Sequence, residues 1–229
     1  PGDHFFPLLK KQADQLRLQL KNKGAEKIIA FFDENSIEDT RWRGGHITTQ
    51  GNYLFLLEKV LNEPWLGLIL KPKAPKSLPE RLGPVAKLLT RAQATGRCHV
   101  YGEGMRVNPF PPAGAALSAD IAIHAHMYAS TAGLESALAG VPTLLLDREG
   151  WNVGRFYTNG LEGKVVFKDW TSLWEALSDH WKKEKHITIL NVAGPRESEG
   201  QVYDKTVSLL NILFCHISSL TLKKFSGST

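Results

Sequence analysis

Apolar positions along the chain alternate between short buried runs and stretches with helical spacing. Such runs are typical of strands buried on both faces, and they occur at residues 27–32, 65–70, 97–101, 120–124, 141–146 and 164–167. Helical spacing is found at residues 5–23, 53–61, 78–94, 113–118, 130–139, 169–181 and 201–218. Strands that alternate with helices predict an α/β fold, a doubly wound parallel six-stranded sheet with helical extensions at both termini.

The stretch from Ala119 to Asp147 predicts a strand, a loop, a helix and a second strand with short connections. The loop ends at Ser130 and Thr131, where a hydroxyl group can cap the helix. The first backbone N–H groups of that helix would point out of the carboxyl edge of the sheet. Such a helix start attracts anions, and phosphate above all.

Within this helix the spacing predicts that Leu134, Ala137 and Leu138 face the sheet. Gly133 would permit close approach of the helix to a neighbouring element. Glu135 lies on another side and has two interpretations. Its carboxylate can favour the helix dipole by about 0.3 to 1 kcal/mol, or it can accept hydrogen bonds from sugar hydroxyls beside a bound phosphate. The spacing leaves both interpretations open.

Other polar residues follow the carboxyl ends of predicted strands, where the ligand crevices of parallel sheets open. Lys71 follows the second strand and is interpreted as a ligand contact or as a side chain that snorkels to solvent. His124 ends the fourth strand, and a histidine there is commonly structural. His126 lies in the loop before the helix start, where an imidazolium can stabilise the charge of a leaving group.

The charge of the chain is mildly basic, with a formal net charge of +5, and the excess is uneven. Residues 71–97 contain seven basic side chains and one acidic side chain, Glu80. This segment predicts a solvated helix face, with an anionic membrane surface or a phosphorylated ligand as alternatives. No aromatic residues are interleaved with these basic residues, which argues against nucleic acid as the partner.

Hydrophobic content of 42% and charged content of 22% are those of an ordinary globular protein with a substantial core. The two cysteines, Cys98 and Cys215, form neither a disulfide framework nor a metal-ligand cluster and predict buried thiols in a reducing compartment. No apolar run reaches the roughly 18 residues of a membrane span. We expect a cytoplasmic protein, with peripheral attachment to the inner membrane left open, and a chain that is a fragment of a longer one.

The central stretch resembles a known family in more specific ways. The strand ADIAI, a loop ending in Ser130 and Thr131, and the segment GLESALAGVPTLLLD resemble the donor-binding half of GT-B fold glycosyltransferases. The flanking segments FFDEN, LILKPK and VVFKDW are similar to nucleotide-sugar transferases of bacterial surface polysaccharide assembly. The resemblance covers roughly residues 27–182.

The resemblance implies roles for individual residues. The helix start would hold the donor phosphates through Ser130, Thr131 and the backbone of Ala132 and Gly133, and Glu135 would bind the donor ribose. We expect Lys71 and His126 to act in catalysis. Further expected contacts are Lys71 and Arg155 to the phosphates, and Gly102, Gly104, Asp147 and Asn152 in the nucleotide pocket. No metal and no cofactor are expected, since the donor, of UDP, GDP or CMP type, is itself the substrate.

The resemblance also implies a missing half. Residues 1–25 would be a helix and interdomain connection, 26–185 the Rossmann-like donor-binding domain, and 186–229 a crossing helix and tail. An N-terminal acceptor domain for a polysaccharide or lipid-linked acceptor would lie outside this chain, so the chain alone should bind nucleotide but turn over poorly. Retaining members often carry a second glutamate eight residues before the first, where this chain has Met127. A sugar-nucleotide 2-epimerase and a non-catalytic α/β partner subunit remain as alternatives.

Overall fold

The computed structural model describes residues 5–38, 45–106, 110–127, 130–150 and 155–183. The strands are β1 Lys27–Phe32, β2 Leu66–Lys71, β3 Cys98–Val100, β4 Ile121–His124, β5 Thr143–Leu146 and β6 Val166–Phe167. The helices are α1 Phe5–Asn22, α2 His46–Asn62, α3 Leu78–Leu82, α4 Ala86–Ala94, α5 Pro112–Leu117, α6 Thr131–Leu138, α7 Arg155–Thr158 and α8 Trp170–Lys183. Within these ranges, no helix is both long enough and apolar enough to cross a membrane.

The six strands form one sheet in the order β3-β2-β1-β4-β5-β6, and every strand pair is parallel. This confirms the predicted doubly wound sheet. The chain moves outward from β1 to β2 and β3, and then returns to place β4 on the other side of β1. The strand order therefore reverses between β1 and β4, and ligands of such sheets bind beyond the carboxyl ends of the strands at this switch point.

Two layers of helices cover the sheet because alternate strand residues point to opposite faces. On one face, Ile29, Phe31 and Leu68 pack in a core with residues of α2, α4 and α8. On the other face, Ile28 and Ala30 pack with residues of α1 and α5, and α6 lies beside α5. The strands are almost continuously apolar, as expected for a parallel sheet covered on both faces.

Helix α1 is part of this layered domain. It packs against α5 and buries Leu9, Ala13, Leu16 and Leu20. The role of residues 1–25 as an interdomain connection stays a prediction. The predicted helix at 201–218, Cys215 and the whole of 186–229 lie outside the described residues.

The start of α2 differs from the prediction. The apolar spacing predicts a helix over 53–61, but α2 begins at His46. Threonines and a glycine in its first turns have weak helix propensity, so the helix there depends on tertiary contacts. Tyr53 is fully buried, whereas Leu54 is 37% exposed. The buried residues of α2 are Thr49, Asn52, Tyr53, Leu56, Leu57 and Val60.

Asn52 provides one of those contacts. Its buried side-chain oxygen accepts hydrogen bonds from Arg148 Nη1 at 2.8 Å and from the indole nitrogen of Trp170 at 2.9 Å. Gly51 leaves room for the same arginine, since a Cβ there would lie 3.0 Å from Arg148 Nη1. These partners come from loops and helices far along the chain, so local sequence did not reveal them.

The predicted single helix at 78–94 is also wrong. Gly83 adopts a φ of +51°, which favours glycine, and Pro84 follows in a 3₁₀ turn that separates α3 from α4. Arg97, predicted to belong to a solvated basic face, is buried. Its guanidinium donates to the carbonyl oxygens of Val60 and Glu63 at the end of α2. Cys98 is buried as expected, and burial raises the pKa of its thiol to about 12.

Candidate functional site: a helix tip at the switch point

The N-terminal tip of α6 lies at the carboxyl edge of the sheet, directly after β4. Ser130 is the N-cap residue, but its hydroxyl makes no cap hydrogen bond, so the predicted hydroxyl cap is absent. The next two backbone N–H groups, of Thr131 and Ala132, have no hydrogen-bond partner among the described residues. Thr131 is exposed to solvent. The tip is therefore an accessible group of donors at the positive end of a helix.

Gly133 holds this tip against the sheet. Its N–H donates to Nδ1 of His124 at 3.1 Å, so a side chain from β4 accepts the hydrogen bond of the third N–H group of the helix. A Cβ on Gly133 would lie 3.0 Å from Leu145 Cδ2 and 3.3 Å from His124 Cβ. The close approach predicted for Gly133 is thus observed, and its N–H is not open to a ligand while this bond is made.

The sheet-facing side of α6 differs from the prediction. Gly133, Ser136 and Ala137 are buried, whereas Leu134 is only partly buried and Leu138 is 41% exposed. The small side chains face the sheet because the helix lies too close to the strands for leucine. The helical spacing was predicted correctly, but two of the three residues predicted to face the sheet, Leu134 and Leu138, are not buried against it.

His124 is a neutral ring in this structure. Burial, followed by the charges of His126 and Lys73, lowers its pKa to about 3. Because Nδ1 accepts the Gly133 N–H, the single proton of the neutral ring lies on Nε2. The Nε2 atom is buried and has no hydrogen-bond partner in the described part of the chain. His124 is therefore the structural histidine that the sequence favoured, with the added role of capping α6.

His126 pairs with an acidic residue that the sequence analysis did not select. Its Nδ1 lies 2.7 Å from Oε1 of Glu149, and both side chains are 1% exposed. Glu149 comes from the loop after β5, so the pair joins the loops that follow two adjacent strands. Its position two residues after Asp147, in a polar loop at a strand end, was the only signal that the sequence offered.

Glu135 has a role that neither interpretation foresaw. Its Oε1 accepts the backbone N–H of Ala113 at 2.9 Å, at the start of α5. This bond satisfies a donor that α5 cannot satisfy internally, and it ties α5 to α6. Contact with a donor ribose stays a prediction for Glu135.

Lys71 ends β2 at the carboxyl edge of the sheet. Lys71, Phe32 and His124 pair in one register row across β2, β1 and β4, so their side chains share the face that α5 and α6 cover. Burial lowers the pKa of Lys71, and the charge of Glu135 is the largest effect in the opposite direction, followed by Asp33. The half-buried ammonium group of Lys71 is therefore stabilised by the charge of the carboxylate on α6.

A second group of charges lies after β1, and the sequence analysis missed it. Asp33 accepts hydrogen bonds from the Tyr53 hydroxyl at 3.0 Å and the Lys73 N–H at 2.7 Å. It also forms a buried ion pair with Arg81 at 3.2 Å, in which the side chains are 2% and 5% exposed. Lys73 Nζ pairs with Glu34. Burial, followed by the charge of Asp33, raises the pKa of Tyr53 well above its usual value.

This Asp33 cluster links the loops after β1 and β2. Arg81 also donates to the carbonyl oxygens of Glu34 and Ala74 at 3.3 Å. The basic segment predicts Arg81 on a solvated face, but Arg81 is buried in α3. A carboxylate directly after a buried strand at the switch point was the signal in the sequence.

The remaining predicted residues are less closely grouped. Asp147 is buried after β5 and accepts the Tyr157 hydroxyl at 2.5 Å. Gly102 and Gly104 form a turn after β3 with φ of +68° and +74°, and their place in a nucleotide pocket stays a prediction. Asn152 and the side chain of Arg155 lie outside the described residues. Within the described ranges, no group of three or more His, Cys, Asp or Glu residues is arranged to hold a metal ion.

Comparison with known proteins shows a likeness at the level of the fold. No protein family and no curated protein matches the chain. Sucrose-phosphate synthase from Thermosynechococcus elongatus is 14% identical with a TM-score of 0.54, over 94% of this chain and 49% of that protein. Anabaena HepE, solved in complex with UDP and glucose, is 14% identical with a TM-score of 0.49, over 89% of this chain and 52% of HepE. This chain therefore spans about half the length of these proteins, and it has the Rossmann-like α/β fold of one half of the synthase.

Proposed function

We propose that this chain is the nucleotide-sugar-binding domain of a glycosyltransferase. The observation that carries the proposal is the open tip of α6, where the N–H groups of Thr131 and Ala132 lie at the switch point of a parallel sheet. The half-buried ammonium group of Lys71 lies on the same face. The resemblance of residues 119–147 to the donor half of GT-B enzymes supports the same function.

The proposed chemistry is electrostatic. When a sugar leaves its nucleotide, negative charge develops on the departing phosphate, and fixed donors stabilise that charge without reorganisation. The N–H groups of Thr131 and Ala132 and the hydroxyl of Ser130, which makes no cap hydrogen bond, would supply the donors, and Lys71 would supply a positive charge. Glu135, whose charge opposes the effect of burial on the pKa of Lys71, would accept a sugar hydroxyl through its second oxygen.

The substrates follow from this arrangement as part of the proposal. The donor would be a nucleotide sugar of UDP, GDP or CMP type. The acceptor, a polysaccharide or a lipid-linked saccharide, would bind to a separate domain, since this chain spans about half of the proteins it resembles in fold. The chain by itself should bind the donor and transfer the sugar slowly or not at all.

Titration calorimetry with UDP, GDP and CMP tests the proposal. We expect one of the three to bind, and Lys71→Met to weaken that binding about tenfold, or about 1.4 kcal/mol. Lys87→Met is the matched control, because Lys87 is exposed on α4 and should leave affinity unchanged. Binding of none of the three nucleotides would refute the proposal. Equal affinities for the two variants would remove Lys71 from the site.

A sugar-nucleotide 2-epimerase would bind its substrate at the same helix tip. Deuterium incorporation at C2 of the sugar, measured by mass spectrometry in D₂O, distinguishes the two reactions. We expect no incorporation. Incorporation by this chain would replace the transferase with the epimerase.

A further inference from the structure

The outer side of α1 exposes two large apolar side chains to solvent. Leu8 is 51% exposed and Leu18 is 60% exposed, whereas the buried leucines of the same helix are at most 8% exposed. Ten residues separate Leu8 from Leu18, so they lie about 15 Å apart along the helix axis and about 80° apart around it. A shallow groove runs along this side, and it is lined by Pro7, Lys10, Lys11, Asp14, Gln15 and Leu18.

The exposed charges of α1 are mostly positive. Lys10, Lys11 and Lys21 are exposed, and Asp14 is the one acidic residue in the sequence of the helix. Arg17 is not part of this set, because it pairs with Asp120 at 2.5 Å. Leucines and lysines that share the exposed side of a helix are typical of helices that lie on an anionic lipid surface.

The helices beside α1 continue this surface with little charge. Helix α5 packs against α1, and α6 packs against α5, so the three helices form one layer over the sheet. The sequence of α5 contains no charged residue, and the charged residue of α6, Glu135, bonds to Ala113. Further apolar exposure occurs at Phe110, which is 36% exposed, and at Leu138. The layer therefore combines scattered apolar side chains with a net positive charge.

A lipid surface fits the outer side of α1 better than a protein partner does. Protein interfaces are depleted of lysine and concentrate their apolar residues in a central core. On α1, Lys11 and Gln15 lie between Leu8 and Leu18 in the sequence, and further lysines flank them. The long stem of a lysine can pack beside apolar groups while its ammonium group reaches a lipid phosphate.

The basic segment 71–97 is a less suitable surface for lipid. Its Arg81 and Arg97 are buried, and Lys73 pairs with Glu34. Three of its seven basic side chains are therefore already engaged within the protein.

We propose that the outer side of α1 docks on a bilayer that contains anionic phospholipids. The helix lies parallel to the surface, Leu8 and Leu18 enter the headgroup layer, and Lys10 and Lys11 contact lipid phosphates. Asp14 opposes this attraction, so the docking is reversible and sensitive to salt. The inference goes beyond the proposed function, because the docking requires no nucleotide.

Co-sedimentation of the full chain with vesicles tests the inference. The probe is phosphatidylcholine vesicles that contain phosphatidylglycerol, and pure phosphatidylcholine vesicles are the reference. We expect binding to the anionic vesicles alone. This binding should fall several-fold as the salt concentration rises from about 0.05 to 0.3 M.

Two pairs of lysine substitutions compare two surfaces at equal net charge. Lys10→Gln combined with Lys11→Gln should weaken vesicle binding about tenfold, since each lysine near the surface adds to the attraction. Lys76→Gln combined with Lys87→Gln removes two exposed lysines of the basic segment. This control should leave vesicle binding unchanged.

Leucine substitutions test the apolar contribution. Leu8→Gln combined with Leu18→Gln keeps the net charge and should weaken vesicle binding about tenfold. Leu54→Gln is the control, because Leu54 is exposed on α2, in the layer on the other face of the sheet. Both changes are at exposed helix positions where glutamine is a good helix former, and thermal unfolding checks that the variants stay folded.

The outcomes separate the inference from its rivals and from the proposed function. A chain that does not bind anionic vesicles would overturn the inference and leave this face to a protein partner. Equal losses for the two lysine pairs would show attraction by overall charge and would also overturn it. If light scattering shows a dimer that the leucine pair abolishes, the face is a contact between two copies. Nucleotide affinity in these variants should be unchanged, and nucleotide binding by none of the proteins would refute the proposed function alone.

Discussion

The Asp33 cluster and the tip of α6 lie on opposite sides of the switch point, and they treat polar groups in opposite ways. Asp33 and Arg81 are buried and bond to each other, to Tyr53 and to loop backbone, and only Nε of Arg81 has no partner among the described residues. At the tip, the N–H groups of Thr131 and Ala132 have no partner in the described residues. The closed cluster can hold loops in place, whereas the open tip can exchange solvent for a ligand. A binding site needs both, because open donors are useful only on a rigid support.

The strongest test of this contrast is Arg81→Ala, which leaves the Asp33 carboxylate buried without its ion-pair partner. We expect the free energy of unfolding to fall by about 3 to 5 kcal/mol, measured by urea denaturation. Arg91→Ala is the matched control, since Arg91 is exposed on α4 and should change stability by less than about 0.5 kcal/mol. Similar effects for the two variants would show that the Asp33 cluster is not a rigid support.

Gly133→Ala tests how closely the tip is held to the sheet. The added Cβ would crowd Leu145 and His124, so we expect a loss of about 1 to 3 kcal/mol in thermal or urea unfolding. Gly114→Ala is the control in another helix, because its Cβ would lie at an ordinary 3.5 Å from Leu9 Cδ2. Helix propensity should make that variant neutral or more stable by up to about 1 kcal/mol. A stable Gly133→Ala would contradict the close packing of the tip.

The His124 cap predicts a pH dependence of stability. Its folded pKa, about 3, lies below the usual value for an unfolded histidine, so the unfolded state binds the proton more readily. The contribution of His124 is therefore fully present above about pH 6.5 and is lost as the pH falls toward the folded pKa, by about 1 kcal/mol per pH unit. His124→Asn keeps an acceptor near the position of Nδ1 and removes the titration. Urea denaturation from pH 7 to pH 5 should show a weaker acid loss in this variant, and an unchanged loss would exclude His124 as its source.

The smallest expected effect concerns the bond from Ala113 to Glu135, which joins α5 to the site. Glu135→Ala leaves an N–H of α5 without its acceptor, and we expect a loss of about 1 kcal/mol in the free energy of unfolding. Glu135→Gln keeps an acceptor oxygen and should lose less. Glu58→Ala, on the exposed side of α2, is the control and should have little effect. If Glu135→Ala is as stable as the control, the bond to Ala113 contributes nothing to stability.

Most of the fold could be predicted because strands buried on two faces are continuously apolar and β1 was bounded correctly to the residue. The cap of α8 was also predictable, since Asp169 accepts the N–H of Ser172 at 2.8 Å. The helix break at Gly83 has a clear local signal, the Gly83-Pro84 pair, but the apolar spacing of residues 78–94 predicted one continuous helix. The start of α2 had no local signal in the sequence, because Asn52 is stabilised by Arg148, which lies far along the chain.

For the candidate site, the sequence indicated which residues lie at the carboxyl edge of the sheet, but not which residues their side chains contact. Ser130, Thr131 and Lys71 were chosen because they follow strands, and parallel strands bring their carboxyl ends to one edge. Whether Glu135 bonds a ribose or α5, or whether Arg81 is solvated or buried, depends on which loop lies opposite, and no local pattern encodes that.

By itself, the sequence determined the alternation of strands and helices and the location of a helix start after β4. It did so because hydrophobic periodicity and chain connectivity act over a few residues. Only the tertiary structure decided that His124 takes the Gly133 N–H, that Glu149 pairs with His126, and that Asp33 pairs with Arg81. Buried polar groups must find partners wherever the packed chain supplies them, and those partners lie 9, 23 and 48 residues away.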